Sequence, residues 1–303
     1  MTAKPAIVSL QNIGKTFHLG AHKVRGAHDL SFDLHGGRTL ALVGESGSGK
    51  TTCARIIMRE YIADEGQLLF NGTPVTDNTT KGLKQYRKNV QMIFQDPFAS
   101  LNPAHTVDYH LRRPLALYRR DLKGKAVTDN IHALLRQVEL DPELVAPKHP
   151  HDLSGGQRQR INIARTLAVG AKVIIADEPT SMLDVSVRQG VLELLNRMKR
   201  DLGLALLYIT HDVATAHYVA EDIMVMYGGQ ILEWGDVNAV LSNPQHDYTR
   251  MLLSAVPNPE IRFDDPQSRL DPASVNTVRE QAKQLHPHIK TAGPNHFYRH
   301  TAA

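Results

Sequence analysis

Cysteine is all but missing from this chain: there is one, Cys53, in 303 residues. A single thiol excludes an internal disulfide framework, a cysteine-based zinc site and an iron–sulfur cluster held by this chain alone, and it suits a reducing compartment. Long hydrophobic runs are missing too. No window approaches the roughly 18 consecutive apolar residues of a membrane span, and the opening MTAKPAIVSL lacks the apolar core and cleavage site of a secretory leader. Any membrane role is therefore expected to be peripheral. Charge is nowhere gathered into a block of one sign. The 35 Lys and Arg against 31 Asp and Glu leave +4 spread along the chain, so nucleic acid is not an expected partner.

What remains is an ordinary globular composition, 42% hydrophobic and 22% charged, on a chain long enough for one substantial core with a smaller attached domain. Short apolar stretches at Ile7–Leu10 and Leu30–Leu34 predict strands, and Thr39–Val43 predicts a buried strand running straight into a glycine-rich turn. Lys50–Arg59 then places Ala54, Ile57 and Met58 at helical spacing. From about 96 to 165 the character is mainly helical, with Ile131, Leu134, Leu135 and Val138 on one stripe. Strand-like runs resume at Val173–Ala176 and Leu204–Ile209. Between them Val187, Val191, Leu194, Leu195 and Met198 share a helical face, with Lys199, Arg200 and Gly203 as the helix end. The alternation predicts a largely parallel α/β core. Ile223–Trp234 reads as a hairpin around Gly228–Gly229. Beyond Val256, Pro, Asn, Asp, Gln and His dominate with little periodicity, which predicts a loosely ordered tail over 257–303.

The turn after Val43 reads Gly44-Glu45-Ser46-Gly47-Ser48-Gly49-Lys50-Thr51, followed by Thr52, and it matches the phosphate-binding loop G-x-x-x-x-G-K-[ST] in full. Glycines let successive backbone N–H groups turn toward phosphate oxygens, and the following helix aims its positive end at the same charge. Lys50 suits the β- and γ-phosphates of a nucleotide, and the Thr51 hydroxyl suits Mg²⁺. A second buried run, Val173–Ala176, delivers Asp177 and Glu178 at its C-terminal end, where α/β sheets bind ligands. Asp177 is expected to hold Mg²⁺ through water. Glu178 is expected to orient or deprotonate the attacking water, general-base work worth about 10²–10⁴-fold.

Between these motifs lies Leu153-Ser154-Gly155-Gly156-Gln157, and with it the chain resembles the nucleotide-binding subunits of ABC transporters. Ser154 with Gln157 is also a capping-box pattern, so the segment reads locally as a helix start with accessible glycine amides. The resemblance runs from about Ile7 to Pro257. It implies an α/β P-loop NTPase core with an N-terminal antiparallel β subdomain and an inserted α-helical subdomain at about 96–165, the ATPase domain and its extension occupying 1–256.

It also implies roles for single residues: Phe17 stacking on adenine, Gln95 contacting Mg²⁺ and the attacking water, and His211 contacting the γ-phosphate. Ser154, Gly155, Gly156, Gln157 and Asp184 would contact ATP on the opposite subunit. FQDPFASLNP at Phe94–Pro103, PHDLSGGQRQR at Pro150–Arg160 and NPQHDYTRMLLSAVP at Asn243–Pro257 are similar to the ATPase subunits of oligopeptide, dipeptide and nickel importers. That subgroup often has His-Pro-Tyr-Thr where this chain has His246-Asp247-Tyr248-Thr249, and its cysteine-rich cluster segment has no counterpart after Cys53.

The resemblance thus implies an ATP- and Mg²⁺-dependent subunit on the cytoplasmic face of the inner membrane. Its implied partners are a second ATPase, paralogous or identical, two permease subunits and, indirectly, an extracytoplasmic solute-binding protein. A soluble ABC ATPase without a transport role, or a regulatory ATP-binding module without turnover, are the alternatives. Two smaller features stay open: Cys53 as an activated or a buried inert thiol, and His286, His288, His296 and His300 as metal ligands or tail residues.

Overall fold

A computed structural model describes residues 5–20, 22–255 and 272–300. In chain order the elements are β1 (Ala6–Leu19), β2 (His22–His35), β3 (Thr39–Val43), α1 (Lys50–Ile57), β4 (Glu65–Phe70), β5 (Thr73–Pro74), α2 (Thr80–Asn89), β6 (Val90–Ile93), α3 (Val107–Tyr118), α4 (Lys125–Gln137), α5 (Pro142–Val145) and a 3₁₀ turn at Pro150–Asp152. They continue with α6 (Gly155–Ala168), β7 (Val173–Asp177), α7 (Val185–Leu202), β8 (Ala205–Thr210), α8 (Val213–Val219), β9 (Asp222–Tyr227), β10 (Gln230–Asp236), α9 (Val237–Ser242), α10 (Asp247–Ser254), α11 (Pro272–Lys283), β11 (His288–Gly293) and β12 (His296–His300). The chain divides into two compact units.

The first unit comprises Met1–Ile7, Leu34–Arg38 and Val75–Leu207. Its strands β6 and β7 pair in parallel, Val90 opposite Val173 through Ile93 opposite Ala176. Every residue of β7 is buried, which is why its sequence is a continuous apolar run rather than an alternation. The helical stretch expected at 96–165 is present as α3 to α6, with α3 and α4 packed on α6. Ile131, Leu134 and Leu135 form the buried stripe of α4. Helix α7 stops at Gly203, whose φ of 64° is the left-handed cap that its position after Lys199 and Arg200 predicts.

The second unit comprises Val8–Asp33, Thr39–Pro74 and Tyr208–Ala303. It contains a four-stranded sheet in the order β2-β1-β4-β5, antiparallel at β1–β4 and β4–β5. β1 and β2 are 14 residues each, far longer than their apolar runs. The first four residues of β2 are all exposed: a strand facing water needs ladder hydrogen bonds, not apolar side chains, and so leaves little trace in a hydrophobicity pattern. A second order, β11-β12-β10-β9-β3, combines parallel pairing of β3 with β9 and antiparallel pairing of β9–β10, β10–β12 and β11–β12.

The hairpin at Gly228–Gly229 falls where the sequence placed it, with φ of 54° and 82° at the two glycines. The loosely ordered tail does not describe 272–300. Those residues make a 12-residue helix and a strand pair that extends the sheet at β10, while 257–271 and 301–303 lie outside the described residues. Val275, Val278 and Ala282 are spaced three and four apart on α11, and they close a core cluster with Val225, Leu232, Tyr248 and Met251. That stripe is only three small residues wide, which hid it in a polar composition. His296 is equally integrated: its Nε2 lies 2.7 Å from Glu233 Oε1, with side chains 3% and 0% exposed.

Candidate functional site

In the second unit, β3 is buried from Ala41 to Val43 and the chain turns through Gly44–Gly49 into α1. A side chain at Gly44 would put its Cβ 2.2 Å from the Met226 carbonyl oxygen, so close packing against β9 demands glycine there. Gly47 and Gly49 are left-handed, at φ 79° and 109°, and Gly49 starts α1 with no side-chain cap. The first amides of α1 are thereby left for another acceptor. Lys50 is 6% exposed and its ammonium folds into the loop, donating to the carbonyls of Gly44 (2.7 Å) and Glu45 (2.8 Å) and to Ser48 Oγ (3.3 Å). Ser46, Gly47 and Thr51 are exposed, Thr52 half-buried. This arrangement of inward lysine, open glycines and uncapped helix start suits a polyphosphate.

Three further groups hold this loop. Gly229 N–H donates to the Ser48 carbonyl at 2.9 Å, so the β9–β10 turn is tied to it. The Glu45 N–H donates to the Tyr248 hydroxyl at 3.1 Å. Arg279 of α11 donates from Nε and Nη2 to the Glu45 carboxylate, at 3.0 Å and 2.5 Å. The contacts of Tyr248 and Arg279 with this loop have no signal in the sequence beyond the place of Tyr248 in the His-Asp-Tyr-Thr motif. Structure gives that motif local sense. His246 caps α10, its Nδ1 accepting from Tyr248 N–H at 3.0 Å, and burial holds its imidazole down at about 4. Asp247 occupies the first helical position, which favours proline and tolerates an acid equally well, so the departure from His-Pro-Tyr-Thr costs the helix little.

Phe17 is half-buried, edge-on to Tyr61 with centroids 5.2 Å apart. His211 is exposed, one residue beyond β8. Cys53 is fully buried in α1 and its thiol is pushed up to about 12, which makes it inert packing rather than a nucleophile. Among the described residues no cluster of three or more His, Cys, Asp or Glu is arranged for a metal ion, and the four histidines of the C-terminal segment form none.

In the first unit, β7 ends at Asp177, which is 9% exposed, and Glu178 follows with φ 45°. Left-handed backbone at a glutamate is uncommon, and such strain gathers at functional positions. Gln95, far off in sequence, brings its Nε2 to 2.9 Å from Glu178 Oε2. The pairing joins two residues that sequence reasoning had singled out separately. Ser154 caps α6 through a full capping box: its Oγ accepts from Gln157 N–H at 3.3 Å, and Gln157 Oε1 accepts from Ser154 N–H at 3.0 Å. Ser154 is exposed, and Gly155 and Gly156 form the first turn behind it. Asp184 is exposed at the start of α7 with no capping hydrogen bond from its side chain.

A phosphate loop of this build, a strand delivering Asp-Glu and a glycine-led capped helix define a nucleotide-binding cassette. Residues 27–181 match the family described as ABC transporter, and the chain belongs to that family. Residues 232–282 match a second description, the C-terminal region of oligopeptide and dipeptide transporters. The glutathione import ATP-binding protein GsiA of Salmonella paratyphi A is 41% identical over 285 residues, covering 93% of this chain and 45% of that protein. This chain thus spans about half the length of the curated relatives it matches. Among solved structures, the ATP-binding cassette MJ0796, as a dimer in a post-hydrolysis state bound to ADP and phosphate, aligns with a TM-score of 0.68 at 28% identity. That alignment covers 76% of this chain and 98% of the other. The cbiO1 protein of Clostridium perfringens shares the fold, with a TM-score of 0.72 over 79% of this chain and 92% of that one at 24% identity. The chain is a cassette of the ABC transporter family, and no helix among its described residues is long and apolar enough to cross a membrane.

Proposed function

We propose that this chain hydrolyses ATP as the cassette subunit of an importer for a peptide-like small solute, working against a second cassette beneath separate permease subunits at the cytoplasmic face of the inner membrane. The observation that carries the proposal is the Gln95–Glu178 hydrogen bond at 2.9 Å on a left-handed Glu178, since a binding module without turnover has no need of a positioned carboxylate. Glu178 acts as general base toward water, Gln95 holds it in place, and Lys50 with the amides of Gly47–Thr51 binds the β- and γ-phosphates. Phe17 packs against adenine, and His211 donates a hydrogen bond to the γ-phosphate.

We assign Mg²⁺ to the Thr51 hydroxyl, the Gln95 amide oxygen and the Asp177 carboxylate on their chemistry, since each is a hard oxygen donor of the kind this ion takes. When bound it neutralises charge on the phosphates. Ser154, Gly155, Gly156, Gln157 and Asp184 face the nucleotide of the opposite cassette, a reading supported by the exposure of Ser154 and Asp184 and by the dimeric state of the MJ0796 cassette. The solute class is supported by the peptide-transporter match at 232–282 and by relatives named for import of glutathione, a tripeptide.

Glu178→Gln is the direct test. It keeps the hydrogen-bonding shape and removes the base, so ATP binding by calorimetry is expected to hold while phosphate release falls about 10²–10⁴-fold. Turnover within a few-fold of the parent protein would remove Glu178 from this role.

A further inference from the structure

The phosphate loop carries an acid of its own. Glu45 is the second residue of the glycine motif, and a carboxylate beside a site for a polyanion repels the ligand unless it is neutralised or turned away. The structure meets this acid with the C-terminal extension. Tyr248 of α10, fully buried, takes the Glu45 N–H at 3.1 Å and fixes the backbone there. Arg279 of α11 then meets the Glu45 side chain in a forked pair, Nε to both oxygens at 3.2 and 3.0 Å and Nη2 to Oε1 at 2.5 Å. The carboxylate in turn holds the Arg279 guanidinium above its ordinary pKa, chiefly through that hydrogen bond. Bidentate geometry of this kind fixes orientation as well as charge. Helix α11 is itself anchored by Val275, Val278 and Ala282 in the core cluster that contains Tyr248, so the guanidinium is presented from a packed element.

We infer that Arg279 is a positioning residue for nucleotide binding: it neutralises Glu45 and turns its carboxylate from the phosphates, so that the C-terminal extension sets the affinity of the phosphate loop. The inference rests on the nucleotide reading above. It gives α11 a role in ATP affinity beyond packing, and it makes that affinity depend on whether the extension is docked.

The test is titration calorimetry of ATP and ADP into the full chain, in EDTA and with Mg²⁺, for the parent protein, Arg279→Gln, and Arg279→Gln combined with Glu45→Gln. Arg279→Gln is expected to weaken ATP about fivefold, and ADP less because it carries less charge. The defect should shrink at high salt, as an exposed electrostatic effect does. Neutralising Glu45 in the same chain is expected to restore ATP affinity to within about twofold, since the offending charge is then gone. Two results overturn the inference while leaving the nucleotide reading intact: ATP affinity unchanged in Arg279→Gln, or a double variant as weak as the single one, which would make Arg279 a mechanical tether only. A parent protein that binds no ATP overturns the nucleotide reading and this inference together.

Discussion

Helices α1 and α6 each carry a glycine of a nucleotide-type motif at their start, and they begin in opposite ways. Helix α1 starts at Gly49, left-handed and without any side-chain cap, so its first amides have no partner from a capping side chain. Helix α6 starts at Ser154 with both halves of a capping box closed, so one amide is spent on Ser154 and the chain entering the helix is fixed by Gln157. The first leaves its amides open to a further acceptor; the second is already complete as a helix end. Their glycines differ in the same sense. A Cβ at Gly49 would lie 2.6 Å from the Gly26 carbonyl oxygen, whereas one at Gly155 would meet only Leu183 Cδ2 at 3.4 Å, an ordinary contact. The fold of the chain itself therefore demands Gly49 and does not demand Gly155.

Gly49→Ala is the harshest way to try that contrast. It asks alanine to adopt φ 109° and pushes its methyl against backbone, so a loss of about 3 kcal/mol is expected, seen as a lower urea midpoint with an unchanged slope. A midpoint equal to that of the parent protein would mean that the loop rearranges freely and that the contrast is false.

The same contrast explains what could be read in the sequence. The glycine loop, the β7 run, the Ser154–Gln157 box and the Gly203 cap were legible because each is local: residue type and spacing within a few positions decide the backbone. Legibility failed where the decisive contact was distant. Arg279 meets Glu45 across 234 residues, and the Gln95–Glu178 pair spans 83; a resemblance can suggest the second, but no periodicity reports either. Residues 272–300 were misjudged for a related reason. Their order comes from three small apolar residues of α11 fitting an existing cluster and from a ladder on β10, neither of which needs a strongly hydrophobic sequence. The outer parts of β1 and β2 were missed likewise, since exposed strands are held by pairing.

Ser154→Ala probes the capped start with a smaller expected effect. Removing the hydroxyl leaves the Gln157 N–H without its 3.3 Å acceptor, while the Gln157 side chain keeps its bond to the Ser154 backbone. A stability loss of about 1 kcal/mol is expected by denaturant titration. A loss above about 2 kcal/mol would show that the box organises more than its own helix end and would blur the contrast with α1.

Gly155→Ala carries the smallest expected effect on folding and separates the two helix starts most sharply. Among the described residues the new methyl meets only Leu183 Cδ2 at an ordinary 3.4 Å, and alanine is a better helix former than glycine by up to about 1 kcal/mol, so stability should hold or rise slightly. If Gly155 is glycine for the sake of a nucleotide held by an opposing cassette, the cost must appear only in the assembled transporter. Hydrolysis there is expected to fall at least about tenfold while ATP binding to the isolated chain is unchanged. Full hydrolysis in the assembly would leave Gly155 without a reason in either the fold or the site, and would reduce the α6 start to a capped helix end and nothing more. Retained stability with lost turnover would instead locate the demand for Gly155 outside this chain, in the ligand bound by its partner.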